Sequence, residues 1–460
     1  MPGPSAAHVQ PVLDAVREAF EAVGALRDST SMPRVAVALS GGRDSIVLLD
    51  AFSRLAPDLP CALSAAHVHH GLSQNADAWV AFCERQCAAR NLPLTVHRVH
   101  VARAAGASLE ATARTARYAA LATVDADAIA LAHHADDQAE TLLLQLLRGA
   151  GPAGLAAMPS YRSPVAGPAL FRPLLSLPRA AIDAYAHATG LEWVDDESNA
   201  DTGVKRNFIR RDIAPLLAAA FPGYPATLAR AAAHQAEAAL LHDDLARLDG
   251  AEALESDVDF GLTLDREALS TLRLRAPHRA RNLVRWFLRQ HGLRAPSAGR
   301  LAAILDQLTL APADARVRLA HAGAEIGFYR GRVVVHAPVV APFAVAWQGE
   351  PALALPHGAL EFTWCTGAGI AREALEADTV TVRSRAGGER LRPAADRPAR
   401  MLKRLLQDAR MPAWQRESLP LVFCGQVLAV VPGIGVDVAF QANADAPGCR
   451  VVWRPRGREY

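Results

Sequence analysis

The strongest constraint on this chain is the string Ser40-Gly41-Gly42-Arg43-Asp44-Ser45, set directly behind the apolar run Val35-Ala36-Val37-Ala38-Leu39. A short run of small and β-branched residues reads as a buried strand. From Ile46 to Ala51 the chain turns apolar again and reads as the start of a helix packed on the sheet. Between the two, glycines let the backbone approach an anion closely, and free N–H groups at a helix start favour negative charge. The hydroxyls of Ser40 and Ser45 add donors, and Asp44 can hold a Mg²⁺ ion carried by the same phosphates. Gly-Gly and Ser also occur in ordinary strand–turn–helix connections. The flanking strand and helix favour a pyrophosphate cradle.

The cradle is neither of the two common phosphate loops. G-x-x-x-x-G-K-[ST] is absent, and no G-x-G-x-x-G follows this strand. Its spelling, S-G-G-x-D-S, resembles the PP-loop of ATP pyrophosphatases, which implies cleavage of ATP between its α- and β-phosphates and adenylation of a substrate. Arg43 fills the variable position of the loop; it counts among the nucleotide-binding residues by place, and its side chain implies nothing further.

With 460 residues, the chain has room for two or three domains with cores of their own. Candidate strands at 34–39, 62–68, 94–99 and 128–132 alternate with candidate helices near 44–55, 75–90, 108–123 and 136–148. Such alternation predicts an α/β domain with a Rossmann-like parallel sheet, covered on both faces, with ligands at the carboxyl ends of the strands. A PP-loop ATP-binding domain is expected over 1–222, a mostly helical middle domain over 223–340 and a small β-rich domain over 345–460. Residues 208–250 read as a long helix, and Leu419 to Val436 as a β-hairpin rather than a membrane span.

A net charge of +2 is too small to announce a nucleic-acid binder, so an RNA site has to come from local patches. Residues 273–300 carry eight arginines and no acid, and residues 383–416 carry nine arginines and Lys403 against three acids. The six cysteines form no C-x-x-C pair and read as reduced, mostly buried thiols. The first residues lack the charged and apolar regions of a signal peptide, so a cytoplasmic protein without a membrane segment is expected.

A second constellation is His133-His134-Ala135-Asp136-Asp137-Gln138-Ala139-Glu140-Thr141, again after a candidate strand and opening a candidate helix. Aspartates in a first turn suit the helix dipole. Asp136 and Asp137 precede Glu140 by four and three residues, so at least one of them shares its face. Leu142, Leu143, Leu146 and Leu147 are expected to bury the rest. Carboxylates beside a phosphate loop can coordinate Mg²⁺, recognise an ammonium group or accept a proton. His67, His69 and His70 form a third cluster, for which a structural role is favoured over metal ligation because metal sites need several convergent ligands. In a fourth, Asp195-Asp196-Glu197-Ser198-Asn199 precedes Arg206 and Arg210, which are four apart and can offer two planar phosphate donors from one helix face.

Taken together these strings resemble the bacterial tRNA(Ile)-lysidine synthetase family. Besides the loop, the resemblance rests on His69-His70-Gly71-Leu72, Glu110-Ala111 with Ala113-Arg114 and Arg117-Tyr118, His133 to Thr141, Arg172-Pro173-Leu174-Leu175, Asp195 to Asn199, Arg206 to Arg210, Gly387 to Arg390, Lys403 and Pro412-Ala413-Trp414. It implies an enzyme that uses ATP, Mg²⁺ and free L-lysine to convert the wobble cytidine of a tRNA(Ile) with a CAU anticodon into lysidine. Ser40, Gly41, Gly42, Asp44 and Ser45 would then bind pyrophosphate, with Asp44 and Asp136 toward the metal. His133, Asp137 and Glu140 would line the lysine side, and Arg206 and Arg210 would hold phosphates. The alternative is another PP-loop enzyme of the tRNA thiolase type, for which Cys83-x-x-x-Cys87 is a poor substitute for paired cysteines. The oligomeric state, monomer or homodimer, is left open.

Overall fold

The computed structural model describes residues 6–25, 32–101, 109–164, 167–195, 205–312, 315 and 317–455. Of the sequence expectations, those on Asp196 to Asn199, on the side chain of Glu110 and on the first five residues lie outside the described residues. The chain divides into two compact units, Met1–Leu241 and His242–Tyr460.

In the first unit, α1 (Ala6–Ala25) precedes β1 (Arg34–Ala38), α2 (Arg43–Leu55), β2 (Ala62–His69), α3 (Ala76–Ala88), β3 (Leu94–Arg98), α4 (Leu109–Leu121), β4 (Ala128–Ala130) and α5 (Ala135–Leu146). A short α6 (Pro152–Leu155), β5 (Tyr161–Arg162), β6 (Ala169–Phe171) and α7 (Arg179–Thr189) follow. The strand order is β3-β2-β1-β4-β6-β5, parallel throughout except for the antiparallel edge strand β5. Strand alternation divides the apolar residues between two faces. Val35 and Val37 pack with the helical residues Val12, Val16, Phe52 and Ile182, while Ala36 and Ile129 face Leu121 and Val124. The expected helices and strands are found with ends shifted by at most two residues. α1 was not anticipated: its stripe Val9, Val12, Val16, Phe20 and Val23 is buried, and its three- and four-residue spacing was the available signal.

Chain order reverses between β1 and β4, which lie side by side. A switch point of this kind leaves a crevice at the strands' carboxyl ends, and the chain leaves β1 into Ser40 and β4 into His133 just there.

One expectation on α5 is corrected. Leu146 and Leu147 are 57% and 79% exposed. The helix is anchored instead by Ala135, Ala139 and Leu142 and by Gln138, whose amide exchanges hydrogen bonds with the Met158 backbone at 2.8 and 2.9 Å, leaving the last turn in solvent. Beyond it, α8 (Lys205–Phe208) runs through a wider π-type turn (Ile209–Ile213) into α9 (Ala214–Ala220). The long helix expected over 208–250 is interrupted at Phe221-Pro222-Gly223, and only its latter part is continuous, as α10 (Tyr224–Gly250).

In the second unit, helices Arg266–Arg275, Pro277–Gln290 and Ala298–Leu310 share a core with a five-stranded antiparallel sheet that the sequence reading did not fully anticipate. Residues 344–455 form a five-stranded and a four-stranded antiparallel sheet around a second core. The expected hairpin is Leu421–Cys424 paired with Val427–Val431.

Candidate active site

Gly41 has φ +90°, open to glycine and strained for other residues. A Cβ there would stand 2.9 Å from Val194 Cγ2, because the loop is tied to the chain after α7 by the bond from Val194 N to Gly41 O at 3.0 Å. Gly42 then caps α2 with extended backbone. Ser45 Oγ donates to Gly42 O at 2.8 Å and accepts from Ser40 N at 3.2 Å, and the two hydroxyls lie 3.0 Å apart. The Arg43 side chain is committed: it binds Asp44 Oδ1 at 3.1 Å and pairs with Asp183. It holds the acid of the loop in place.

His134 joins the two junctions. It is 3% exposed, its Nε2 lies 3.7 Å from Asp44 and 3.4 Å from Asp137, and its Nδ1 lies 3.7 Å from Asp136. Burial opposes charge on the ring, but the three carboxylates win and raise it to about 9. Burial likewise pushes the Asp44 carboxyl up, and His134 and Arg43 reverse that, bringing it down to about 2. Asp136 also accepts the Arg179 backbone N–H at 2.9 Å, holding the start of α7. The His134 ring therefore separates Asp44 from Asp136. No group of three His, Cys, Asp or Glu side chains converges as a cation site among the described residues.

Behind His134 lies a four-residue ion cluster. Asp137 Oδ1 accepts from Arg206 and Arg210 at 2.9 and 3.0 Å, while its Oδ2 accepts the His134 backbone N–H at 3.1 Å. Glu140 takes Arg206 Nε at 2.7 Å and Arg210 Nε at 2.6 Å. Of the two aspartates, then, it is Asp137 that shares a face with Glu140. Burial would raise the Asp137 carboxyl, and His134 with Arg206 more than offsets this, so it sits below the usual carboxylate range. His133 is pushed down to about 3, chiefly by burial, and stays neutral, with a buried Nδ1 that has no hydrogen-bond partner. A cavity of about 510 Å³ adjoins the cluster, lined by Asp136, Arg179, Arg210, Pro215 and Tyr224.

Other candidates are placed elsewhere. His67 is buried, hydrogen-bonded to Leu39 O at 2.8 Å, and supports β1 from its neighbour. Cys83 and Cys87 are buried thiols that burial pushes up to about 12 and about 11, the opposite of an activated cysteine. Trp414 stacks on His336 at 4.0 Å and meets Phe260 and Tyr329 edge-on, a structural role within the second unit. In the first basic patch, Arg273, Arg279 and Arg289 are paired with Asp306, Asp249 and Asp243. Arg281 and Arg285 carry no ion pair among the described residues.

Residues 15–217 match the PP-loop domain family, residues 264–334 the TilS substrate binding domain and residues 380–453 the TilS substrate C-terminal domain. The chain is 43% identical to a tRNA(Ile)-lysidine synthase of Nitrosomonas europaea over 92% of both chains. It is 42% identical to the synthase of that name from Burkholderia pseudomallei, covering 96% of this chain and 97% of that one. The Coxiella burnetii protein of the same name is 36% identical over 93% of this chain and 94% of its own.

Proposed function

Because the chain belongs to the tRNA(Ile)-lysidine synthase family, we propose that it joins free L-lysine to C2 of the wobble cytidine of a tRNA(Ile) with a CAU anticodon, at the expense of ATP, giving AMP and pyrophosphate. It is an ATP-dependent ligase with a PP-loop domain and tRNA-directed domains. The observation that carries the reading of the site is the contact of His134 with both Asp44 and Asp137, which couples the phosphate loop to the acid pair.

In this reading Ser40 to Ser45 and the start of α2 receive the triphosphate. The ionised Asp44 carboxylate at a helix start suits the hard oxygen coordination of Mg²⁺, which one carboxylate plus substrate phosphates can hold. Bound there, the ion would neutralise the departing pyrophosphate. Asp136, tied to His134 and the start of α7, supports the second loop instead. The cytidine O2 attacks the α-phosphate, the lysine ε-amine attacks C2, and AMP leaves. Freeing that amine from its proton at pH 7 costs about 5 kcal/mol from its reference pKa of about 10.4. A carboxylate must receive the proton, and Asp137 and Glu140 are the candidates. Both are occupied by Arg206 and Arg210 in this structure. Phosphates compete for the same guanidinium forks, so nucleotide binding frees the acids as it engages the arginines.

The three segments 1–222, 223–340 and 345–460 serve as catalytic, middle and C-terminal tRNA-binding parts in this proposal, and the location is the cytoplasm. No described helix is long and apolar enough to cross a membrane. The protonated thiols of Cys83 and Cys87 speak against the thiolase alternative. The test is release of AMP and pyrophosphate by purified protein with Mg²⁺, L-lysine and a CAU-anticodon transcript. Release that ignores lysine or the anticodon would overturn the assignment.

A further inference from the structure

Three arginines of the first unit surround Tyr118 and have no carboxylate partner among the described residues. Arg114 and Arg117 lie one turn apart on α4, with guanidinium carbons 5.0 and 5.7 Å from the Tyr118 ring centre, and Arg114 Nη2 reaches the phenol oxygen at 3.4 Å. Arg172 follows directly on β6, two strands from β1 in the sheet order, so it emerges at the same carboxyl edge as Ser40 and His133. It is only 6% exposed, donates Nη1 to Pro159 O at 2.6 Å, and leaves its buried Nε without a hydrogen-bond partner. Burying a guanidinium donor unpaired costs several kilocalories per mole in general. Proteins keep such an arrangement where an anion completes it.

The field around this group agrees with the geometry. Burial pushes the Tyr118 phenol up, and Arg114, Arg117 and Arg172 more than reverse this. His133 feels both signs of charge: burial draws it down, Asp137 draws it up, and Arg172, Arg117 and Arg206 draw it down further. His133 and Arg172 leave the adjacent parallel strands β4 and β6 at the same edge, so the acids that open α5 and these cations without carboxylate partners share one end of the sheet. A ligand with a cation at one end and an anion at the other would fit this polarity. Burial of Arg172 favours a small free molecule over a polynucleotide backbone, which needs an open groove.

We propose that Arg172, Arg117 and Arg114 form the subsite for the α-carboxylate of the amino-acid substrate, setting its side-chain amine toward Asp137 and Glu140. This rests on the ligase reading above and deepens it: the enzyme selects a free amino acid, with its carboxylate ionised, over an amine or an amide of the same length.

The experiment compares L-lysine with L-lysinamide, in turnover and in equilibrium binding, for the wild-type protein and for Arg172→Lys and Arg117→Gln. Wild type is expected to prefer L-lysine. A charge-assisted hydrogen bond of about 1.5–3 kcal/mol corresponds to about a ten- to hundredfold rise in the KM for lysine when it is lost. The lysine-to-lysinamide preference should fall by a similar factor in both variants, with the KM for ATP and the affinity for tRNA unchanged. A preference that neither variant alters overturns the subsite, as does a wild type indifferent to the carboxylate. Loss of tRNA affinity with a shallower salt slope would assign the arginines to RNA phosphate, and a raised KM for ATP would assign them to the nucleotide. If turnover fails in wild type but lysine still binds in preference to its amide, and Arg172→Lys abolishes that preference, the subsite stands and the ligase reading falls.

Discussion

Arg210 closes on Glu140 as a two-pronged fork, Nε to Oε1 at 2.6 Å and Nη2 to Oε2 at 2.9 Å, on a carboxylate whose side chain is 5% exposed. Together with Arg206 and Asp137 it makes a cluster in which each acid meets two cations. Removing one member leaves buried charge uncompensated. Glu140→Gln should destabilise the first unit by about 3 kcal/mol, read as a lower urea midpoint at unchanged slope. Adding Arg210→Met should restore part of that loss. A single-variant effect under about 1 kcal/mol would show that solvent already screens the cluster.

The His134–Asp44 contact predicts a pH dependence with a definite sign. His134 is raised from 6.5 to about 9, so its contribution is complete below about pH 6.5 and is lost as pH rises through about 9. Asp44 is lowered from 3.8 to about 2, so its contribution is complete above about pH 4 and is lost as pH falls through about 2. The pair contributes most between about pH 4 and 6.5. Thermal unfolding of His134→Gln should lack the decline that the wild-type protein shows from pH 6.5 to 9. Parallel profiles would contradict the assignment.

Asp137→Asn keeps the shape of the side chain and its bond from the His134 backbone, and removes the negative charge. It should slow lysine transfer by at least about a hundredfold, the range of general acid–base catalysis, while nucleotide affinity changes severalfold at most. Equal losses in both would place Asp137 on the phosphates.

Gly41→Ala forces a side chain into φ +90° and against Val194. The strain, about 1–3 kcal/mol, falls on the phosphate loop and should raise the KM for ATP about tenfold or more. An unchanged KM would mean that the loop shifts freely, contrary to the bond that Val194 makes with it.

Arg285 and Arg289 lie on one basic helix but differ in commitment, since only Arg289 is paired, with Asp243. Reversing Arg285 to Glu should weaken tRNA binding and lower the salt slope by about 1. Arg289→Glu should do less to the slope and more to stability. Identical behaviour of both, or none in either, would remove this helix from the RNA footprint.

Much of the site was legible in one dimension because its parts are local. A strand, two glycines and a helix start within a dozen residues define the first loop, and a strand followed closely by a helix start recurs, without glycines, at His133. Basic composition misled where charge is paired through space: Arg273, Arg279 and Arg289 look free in the sequence and are neutralised by acids 30 to 46 residues away. Leu146 and Leu147 follow helical periodicity into a last turn that stays in solvent.

The sequence by itself determined the α/β alternation, the two phosphate- and acid-bearing junctions and the family, because these rest on short-range patterning and contiguous motifs. Only tertiary structure decided which acid meets which cation. The reversal of strand order beside β1 brings residues 40–45 next to 133–140, and α8 with the π-type turn that follows it brings Arg206 and Arg210 onto Asp137 and Glu140. Coulombic pairing depends on distance in space, and the separation of two charges along a chain says almost nothing about it.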